Sequence, residues 1–373
     1  MIPEKTSLRD PLRVLVCAPD LDGPGGVAAY WLAIKDSLTV AAEFFIVGRR
    51  PHQKMRFFAP LRALGDVVRF SRVLTRGGVD LVHLNPSLNF KAVARDALLL
   101  IAAKAFRVRV LVFFHGWEAS FQRSIEKYLR RAFHAVFSRA DGIVVLSSDF
   151  KIHLRAMGLK NPVFVETTSL RNEVFDYLGR AAPRTRRESD GRVFEILFLS
   201  RVERYKGIGE TVEAYRILRS RSDRVRLTVA GAGDGLEAVE RYVREEKIEG
   251  VTFAGHLVGE SKAETFLRSD VYVLPSYGEG MPISVLEAMA FGVPVVVTRT
   301  GGLRDFFQHG KMGFLVDRPD PELISDFIQT LMQDRALAHR MSRYNRRYAR
   351  DRFAAPRVAG RLEEIYRRVG CDT

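Results

Sequence analysis

The stretch Leu274-Pro275-Ser276-Tyr277-Gly278-Glu279-Gly280-Met281-Pro282-Ile283-Ser284-Val285-Leu286-Glu287-Ala288-Met289-Ala290-Phe291-Gly292-Val293-Pro294 decides the fold. The apolar run Val271 to Pro275 enters it as a strand. A loop of small residues follows and carries Glu279. Pro282 suits the first turn of a helix, where its missing N–H costs nothing. The helix continues from Ser284 to Phe291, and the apolar run Val293 to Thr298 leaves as the next strand. Strand, loop, helix and strand in about 30 residues is the repeating unit of a parallel α/β sheet.

The same rhythm extends outward to both ends. In the second half the strand candidates are Phe194 to Leu199, Val225 to Ala230, Val251 to Ala254, and Phe314 to Val316. In the first half they are Leu12 to Ala18, Phe44 to Val47, Leu81 to Leu84, Val108 to Phe114, Gly142 to Leu146, and Pro162 to Glu166. Between the halves the pattern breaks at Gly179 to Gly191, a polar, charged and turn-rich segment of linker character. The pattern predicts an α/β protein of two Rossmann-like domains whose parallel sheets face across a cleft, the natural place for a ligand. The first domain is 1–175, the linker 176–192 and the second domain 193–349. The tail from Ala338 to Val369 reads as helix, and about 350–373 is expected to pack back on the first domain.

A chain of 373 residues suits two cores. No run reaches the ~20 apolar residues of a membrane span, since Lys104 interrupts Ala97 to Phe106. Met1 to Asp10 has no signal-peptide core, and the two cysteines, Cys17 and Cys371, suggest no disulfide framework. A cytoplasmic protein is expected. The net charge of +15 draws polyanions in general. No nucleic-acid-binding motif accompanies it, so an anionic membrane surface is preferred to nucleic acid as partner. The segment Leu61 to Arg76 sets Leu61, Leu64, Val67, Val68 and Leu74 at helical spacing among Arg62, Arg69, Arg72 and Arg76. Such a helix can cover the sheet, lie on an anionic bilayer, or do both.

Several constellations could carry chemistry. Gly25 and Gly26 stand between a strand and a helix, where backbone N–H groups can meet an anion; a tight turn explains them equally well. Arg201 and Lys206 follow a strand end and suit a diphosphate, although spacing alone also fits a basic surface loop. Gly231 opens a glycine-rich turn that lets a base come near. Gly280 and Met281 begin a helix terminus with free N–H groups, and Glu279 and Glu287 can accept from hydroxyls at two heights. His115 ends a strongly apolar strand, a position shared by ligand-binding and structural histidines. Cysteines are too few for a zinc site, and no metal or other cofactor is expected.

Together these residues resemble the group 1 transferases, the retaining family 4 glycosyltransferases of GT-B fold. The resemblance rests on Glu279-Gly280-Met281-Pro282 through Glu287-Ala288-Met289-Ala290-Phe291-Gly292-Val293-Pro294, on Arg201 to Gly207, on Gly231 to Gly235 and on Gly313-Phe314-Leu315-Val316. It implies that the second domain binds a nucleoside-diphosphate sugar and the first an acceptor. Arg201 and Lys206 would neutralise the diphosphate. Glu279 would bind sugar hydroxyls, Gly280 and Met281 would offer amides, and Glu287 would hold the ribose. Gly25 and Gly26 would lie under the phosphates, with His115 near the reacting sugar. Asp305 replaces the glutamate usual in the family, and Arg304 stands where proline is common, so Asp305 receives no role. The implied acceptor is a saccharide or a lipid-linked one, in polysaccharide or lipopolysaccharide assembly. A nucleotide-sugar epimerase or hydrolase and a non-catalytic binding subunit are the rival readings.

Overall fold

The computed structural model describes residues 12–23, 25–48, 59–180 and 192–370. The chain divides into two compact units, Met1–Thr167 with Ala355–Thr373, and Thr168–Ala354. Each is built on a six-stranded sheet.

In the first unit the strand order is Ala41–Ile46, Arg13–Ala18, Leu81–Leu84, Arg109–Phe114, Gly142–Val145, Val163–Val165. All neighbours are parallel. The inner strands are buried on both faces, which is why Val14 to Ala18 and Val110 to Phe114 are unbroken apolar runs. Right-handed crossovers send Ala59–Thr75, Phe90–Ala105, the bent segment 119–137 and Ser148–Ala156 to one face. Gly26–Ile34 and Ala355–Gly370 share the other. Packing agrees: Ala59–Thr75 lies beside Phe90–Ala105, which lies beside Arg130–Phe137, while Gly26–Ile34 lies beside Ala355–Gly370. The last helix is fastened by polar contacts. Tyr366 Oη is 2.7 Å from His83 Nδ1, and Arg361 gives Glu166 two hydrogen bonds of 2.8 and 3.0 Å.

In the second unit the order is Val251–Gly255, Val225–Ala230, Phe194–Leu199, Val271–Leu274, Val295–Thr298, Gly313–Val316, again all parallel. In chain sequence this is 3-2-1-4-5-6, the dinucleotide-binding Rossmann order. The strand order reverses between Phe194–Leu199 and Val271–Leu274, and ligands bind outside the carboxyl ends of the strands at such a point.

Three boundaries differ from the sequence reading. The tail is two helices, Arg335–Phe353 and Ala355–Gly370, separated by Ala354 in extended conformation. Pro356 lacks the N–H an interior turn needs, so the helix restarts just before it. The first unit ends at Thr167 rather than 175, because Leu170 N donates to Phe353 O at 2.8 Å within the second unit. The proposed linker begins inside a helix, Asn172–Arg180, whose Val174, Phe175 and Tyr177 pack on the second core; residues 181–191 lie outside the described ones. The helix Ala59–Thr75 covers its sheet with Phe70 and Leu74 and leaves Leu64 and Val68 exposed. The side chains of Leu61 and Arg62 are outside the described residues.

Candidate active site

At the reversal point of the second sheet, three strand-end loops are knit into one floor. Val202 N donates to Ala232 O and Gly235 N to Val202 O, joining the glycine turn to the loop after Phe194–Leu199. Tyr277 N donates to Tyr205 O at 2.8 Å, joining that loop to the one after Val271–Leu274. These approaches demand glycine. At Gly207, with φ 75°, a Cβ would stand 2.2 Å from Pro275 O. Gly231 has its N–H bonded to Gly255 O at 2.7 Å and its Cα against Ser200 O, so its part is to close the floor rather than to offer an amide.

Lys206 and Glu279 meet across this floor. Their side chains are only 11 and 10% exposed, and Nζ lies 2.6 Å from Oε1. Ser276 Oγ donates to the same oxygen at 2.8 Å. Oε1 is thus doubly engaged, while Oε2 accepts no hydrogen bond among the described residues and is available to a hydroxyl. Arg201 is exposed, 2.7 Å from Glu203 Oε1 and hydrogen-bonded to Tyr205 Oη, so its guanidinium stands at the rim. The amides of Gly280 and Met281 donate no hydrogen bond among the described residues, just before the helix Ile283–Ala290. Gly301 and Gly302 brace them: Gly302 N donates to Gly280 O at 2.8 Å, and Gly301, with φ 50°, lies under the Glu279 and Gly280 carbonyls. Tyr277 turns outward and donates to Glu210 at 2.5 Å.

Glu287, two turns further on, does not touch the Lys206 pair. Lys262 Nζ donates to its Oε1 at 2.7 Å and sits 2.6 Å from Oε2, which takes no hydrogen bond. Burial raises the Glu287 pKa, and the Lys262 charge partly offsets that. Both residues border a cavity of about 220 Å³ with His256, Val258, Tyr177 and Arg171. Lys262 thus holds both Glu287 oxygens, and the carboxylate is fixed at the edge of a cavity of a size that suits a ribose.

In the first unit Gly25, with φ 134°, precedes the helix Gly26–Ile34, which has no side-chain cap and no acid in its first turn. Its N-terminal amides are therefore open to an anion; Pro24 is outside the described residues. His115 sits at the end of Arg109–Phe114, stacked 3.9 Å from Phe113. Burial lowers its pKa to about 3, so the ring is neutral. Asn85 fixes its tautomer. The Asn85 amide donates to Cys17 O and His83 O, which leaves Oδ1 to accept from His115 Nε2 at 2.8 Å. The Nδ1 lone pair is then the free acceptor.

Sequence reasoning missed Lys262, Ser276, Gly301 and Asn85. Lys262 and Asn85 act only through packing partners distant in sequence. Ser276 and Gly301 flank recognised motifs and could have been read from that adjacency. The sequence was also read as having no Asp-x-Asp triplet, whereas Asp20-Leu21-Asp22 is one; among the described residues no three His, Cys, Asp or Glu side chains gather to hold a metal ion.

Residues 9–165 match the Glycosyltransferase Family 4 and residues 181–348 the Glycosyl transferases group 1. The glycogen synthase of Mycobacterium tuberculosis (strain ATCC 25618 / H37Rv) is 27% identical over 293 residues, 77% of this chain and 68% of that protein. The D-inositol 3-phosphate glycosyltransferase of Paenarthrobacter aurescens (strain TC1) is 33% identical over 179 residues, 47% of this chain and 44% of that one. A putative colanic acid biosynthesis glycosyltransferase of Salmonella typhimurium, WcaL, is 24% identical over 254 residues, 66% of this chain and 59% of that protein. Among solved structures, Anabaena Alr3699/HepE in complex with UDP superposes with a TM-score of 0.72 at 17% identity, covering 95% of this chain and 99% of that one. The sucrose-phosphate synthase of Thermosynechococcus elongatus gives 0.72 at 18% identity, covering 96% and 99%. The fold class is GT-B.

Proposed function

The chain belongs to the group 1, family 4 glycosyltransferases, and from that premise we propose that it moves a sugar from a nucleoside-diphosphate sugar to a saccharide or lipid-linked acceptor, retaining the anomeric configuration and using no metal ion. The observation that carries this reading is the buried Lys206–Glu279 pair, 2.6 Å long, at the reversal point of a Rossmann sheet. A cation for the diphosphate and a carboxylate for the sugar are fixed to each other there.

The chemistry follows from the parts. As the anomeric carbon–oxygen bond breaks, charge builds on the departing diphosphate. Lys206, Arg201 and the Gly280 and Met281 amides meet it as fixed dipoles and charges. Glu279 Oε2 accepts from sugar hydroxyls, and the Glu287 carboxylate from the ribose. The acceptor oxygen bonds to the anomeric carbon on the face the diphosphate leaves, and its proton passes to the departing phosphate oxygen. Glu279 is committed through Oε1 to Lys206 and Ser276, which suits it to binding rather than attack. His115 Nδ1 accepts from a substrate hydroxyl. The names of the relatives support a place in polysaccharide assembly, and the basic composition supports work at an anionic membrane surface on its cytoplasmic side.

The test is a thermal-shift screen against UDP, GDP, ADP, TDP and CMP and their sugars, with and without EDTA. A shift with one nucleoside diphosphate that EDTA leaves unchanged and Lys206→Ala reduces is expected. No shift with any of them would overturn the donor reading. A glycosyl-enzyme adduct trapped for mass spectrometry would overturn the single-step mechanism.

A further inference from the structure

In the first unit, the large exposed apolar side chains are distributed unevenly. Among the described residues all but Ile46 stand on one layer, the helices 59–75, 90–105, 119–137 and 148–156 with the adjoining Phe106. The opposite layer, Gly26–Ile34 and Ala355–Gly370, exposes none. The helix Phe90–Ala105 is the centre of this asymmetry. Its inner side buries Val93, Leu99, Leu100 and Ala103. Its outer side exposes Phe90 by 64%, Leu98 by 45% and Ile101 by 40%, spaced so that they form one stripe with Ala94 and Ala105. The stripe is about 24 Å long. A sheet-covering helix needs one apolar side; this one has two.

The charge beside the stripe is mostly positive. The helical segments 90–105 and 119–137 hold seven Lys or Arg against two acids. One of those acids, Asp96, is buried under Arg95, which gives it two hydrogen bonds of 2.8 Å. A π-helical turn, Ile125–Leu129, projects Tyr128 and Leu129 between Lys127 and Arg130. Apolar groups flanked by cations on one exposed layer match an anionic bilayer, whose acyl boundary takes the stripe and whose phosphates take the cations.

We propose that this layer, centred on Phe90–Ala105, is the surface by which the protein lies on an anionic membrane. The proposal rests on the membrane-surface part of the reading above and assigns it a place: the centre is not the 61–76 helix singled out in the sequence but its neighbour.

Flotation with full-length protein tests it, using vesicles of phosphatidylcholine alone or with about one-third phosphatidylglycerol. The wild type is expected to float with the anionic vesicles only. Leu98→Glu/Ile101→Glu should lower the partition coefficient at least tenfold, and Lys127→Glu/Arg130→Glu by about fivefold or more per cation. Both variants should keep the nucleoside-diphosphate thermal shift, which reports the other unit, and the wild-type circular dichroism and cooperative unfolding, which show that the first unit folds. If the wild type floats with neither vesicle, or equally with both, the anionic-membrane reading itself falls. If it floats with anionic vesicles and the Leu98/Ile101 variant does so equally well, only the assignment to this layer falls. Sedimentation showing a wild-type dimer that the Leu98/Ile101 variant dissociates would make the layer a contact between copies and overturn the proposal.

Discussion

Removing Lys206 should cost the protein stability as well as activity, and the two losses can be separated. Lys206→Met leaves Glu279 with its carboxylate 10% exposed and only Ser276 as partner at Oε1. Stripping one member from a buried ion pair costs about 3–5 kcal/mol. This pair lies where a ligand must enter, so water reaches it, and about 2–3 kcal/mol is the better figure. For a unit of this size that lowers Tm by about 4–12 °C. Glu279→Gln strands the ammonium instead and is expected to cost about 1–2 kcal/mol. In the double variant Lys206→Met/Glu279→Gln neither charge is stranded. Its stability should lie within about 1 kcal/mol of wild type, a coupling of about 3 kcal/mol in the double-mutant cycle. Transfer should behave oppositely. With the Lys206 ammonium gone and only Arg201 at the rim to meet the diphosphate, the turnover falls by about 10²–10³, and restoring the fold does not restore it. Thermal and denaturant unfolding of the ligand-free protein, beside single-turnover transfer, reads both. Additive stability losses, or a Lys206→Met cost below about 0.5 kcal/mol, would refute the argument that the pair is fixed in the free protein.

Three further outcomes follow from neighbouring groups. Burial raises the Glu287 pKa and Lys262 opposes the rise, so Lys262→Met should raise it further; nucleotide binding, which needs the carboxylate, is then lost at a higher pH as pH falls, and the preference for a ribose over a 2′-deoxyribose diphosphate, about tenfold at pH 8, should shrink. Calorimetric titrations at pH 8 and 5.5 that run parallel in the two proteins would count against the pairing. Gly301→Ala puts a Cβ 2.2 Å from Glu279 O and 2.3 Å from Gly280 O at φ 50°; donor affinity should drop at least tenfold while circular dichroism stays native, and unchanged affinity would mean the amide loop is not braced there. His115 is neutral with a pKa of about 3, against an unfolded value of about 6.5, so the unfolded chain binds the extra proton between those values. Stability should therefore fall as pH drops through that window and be fully present above it, and His115→Phe should flatten that slope in acid titrations followed by fluorescence.

How legible was all this in the sequence? The strands were, because a parallel sheet covered on both faces forces unbroken apolar runs such as Val110 to Phe114 and Val293 to Val297. Glu279 and Glu287 stood out because a strand, a small-residue loop and a helix place them at set heights. Lys262 did not: it reaches Glu287 from the helix Gly259–Arg268, and only packing brings them together. The same holds for Asn85, whose orientation is set by the Cys17 and His83 carbonyls and which in turn sets the proton on His115. The exposed stripe of Phe90–Ala105 went unnoticed in the sequence for another reason. A two-sided apolar helix resembles a short buried one until the sheet beneath it shows which side is spare.

The two lysine pairs also constrain where catalytic charge can come from. In the free protein Lys206 already shares its charge with Glu279, and Lys262 shares its charge with Glu287. Each pair is close to neutral, so neither lysine presents a full positive charge to an arriving diphosphate. The uncompensated groups of the floor are the Gly280 and Met281 amides, which carry partial charge and need no counterion, while Arg201 is held at the rim by Glu203. As the leaving group gains charge, Lys206 can turn further N–H groups toward it without releasing Glu279, because an ammonium has three. The pair is therefore better understood as a pivot than as a lock: Glu279 fixes where the ammonium stands, and the reaction decides how much of its field the diphosphate receives.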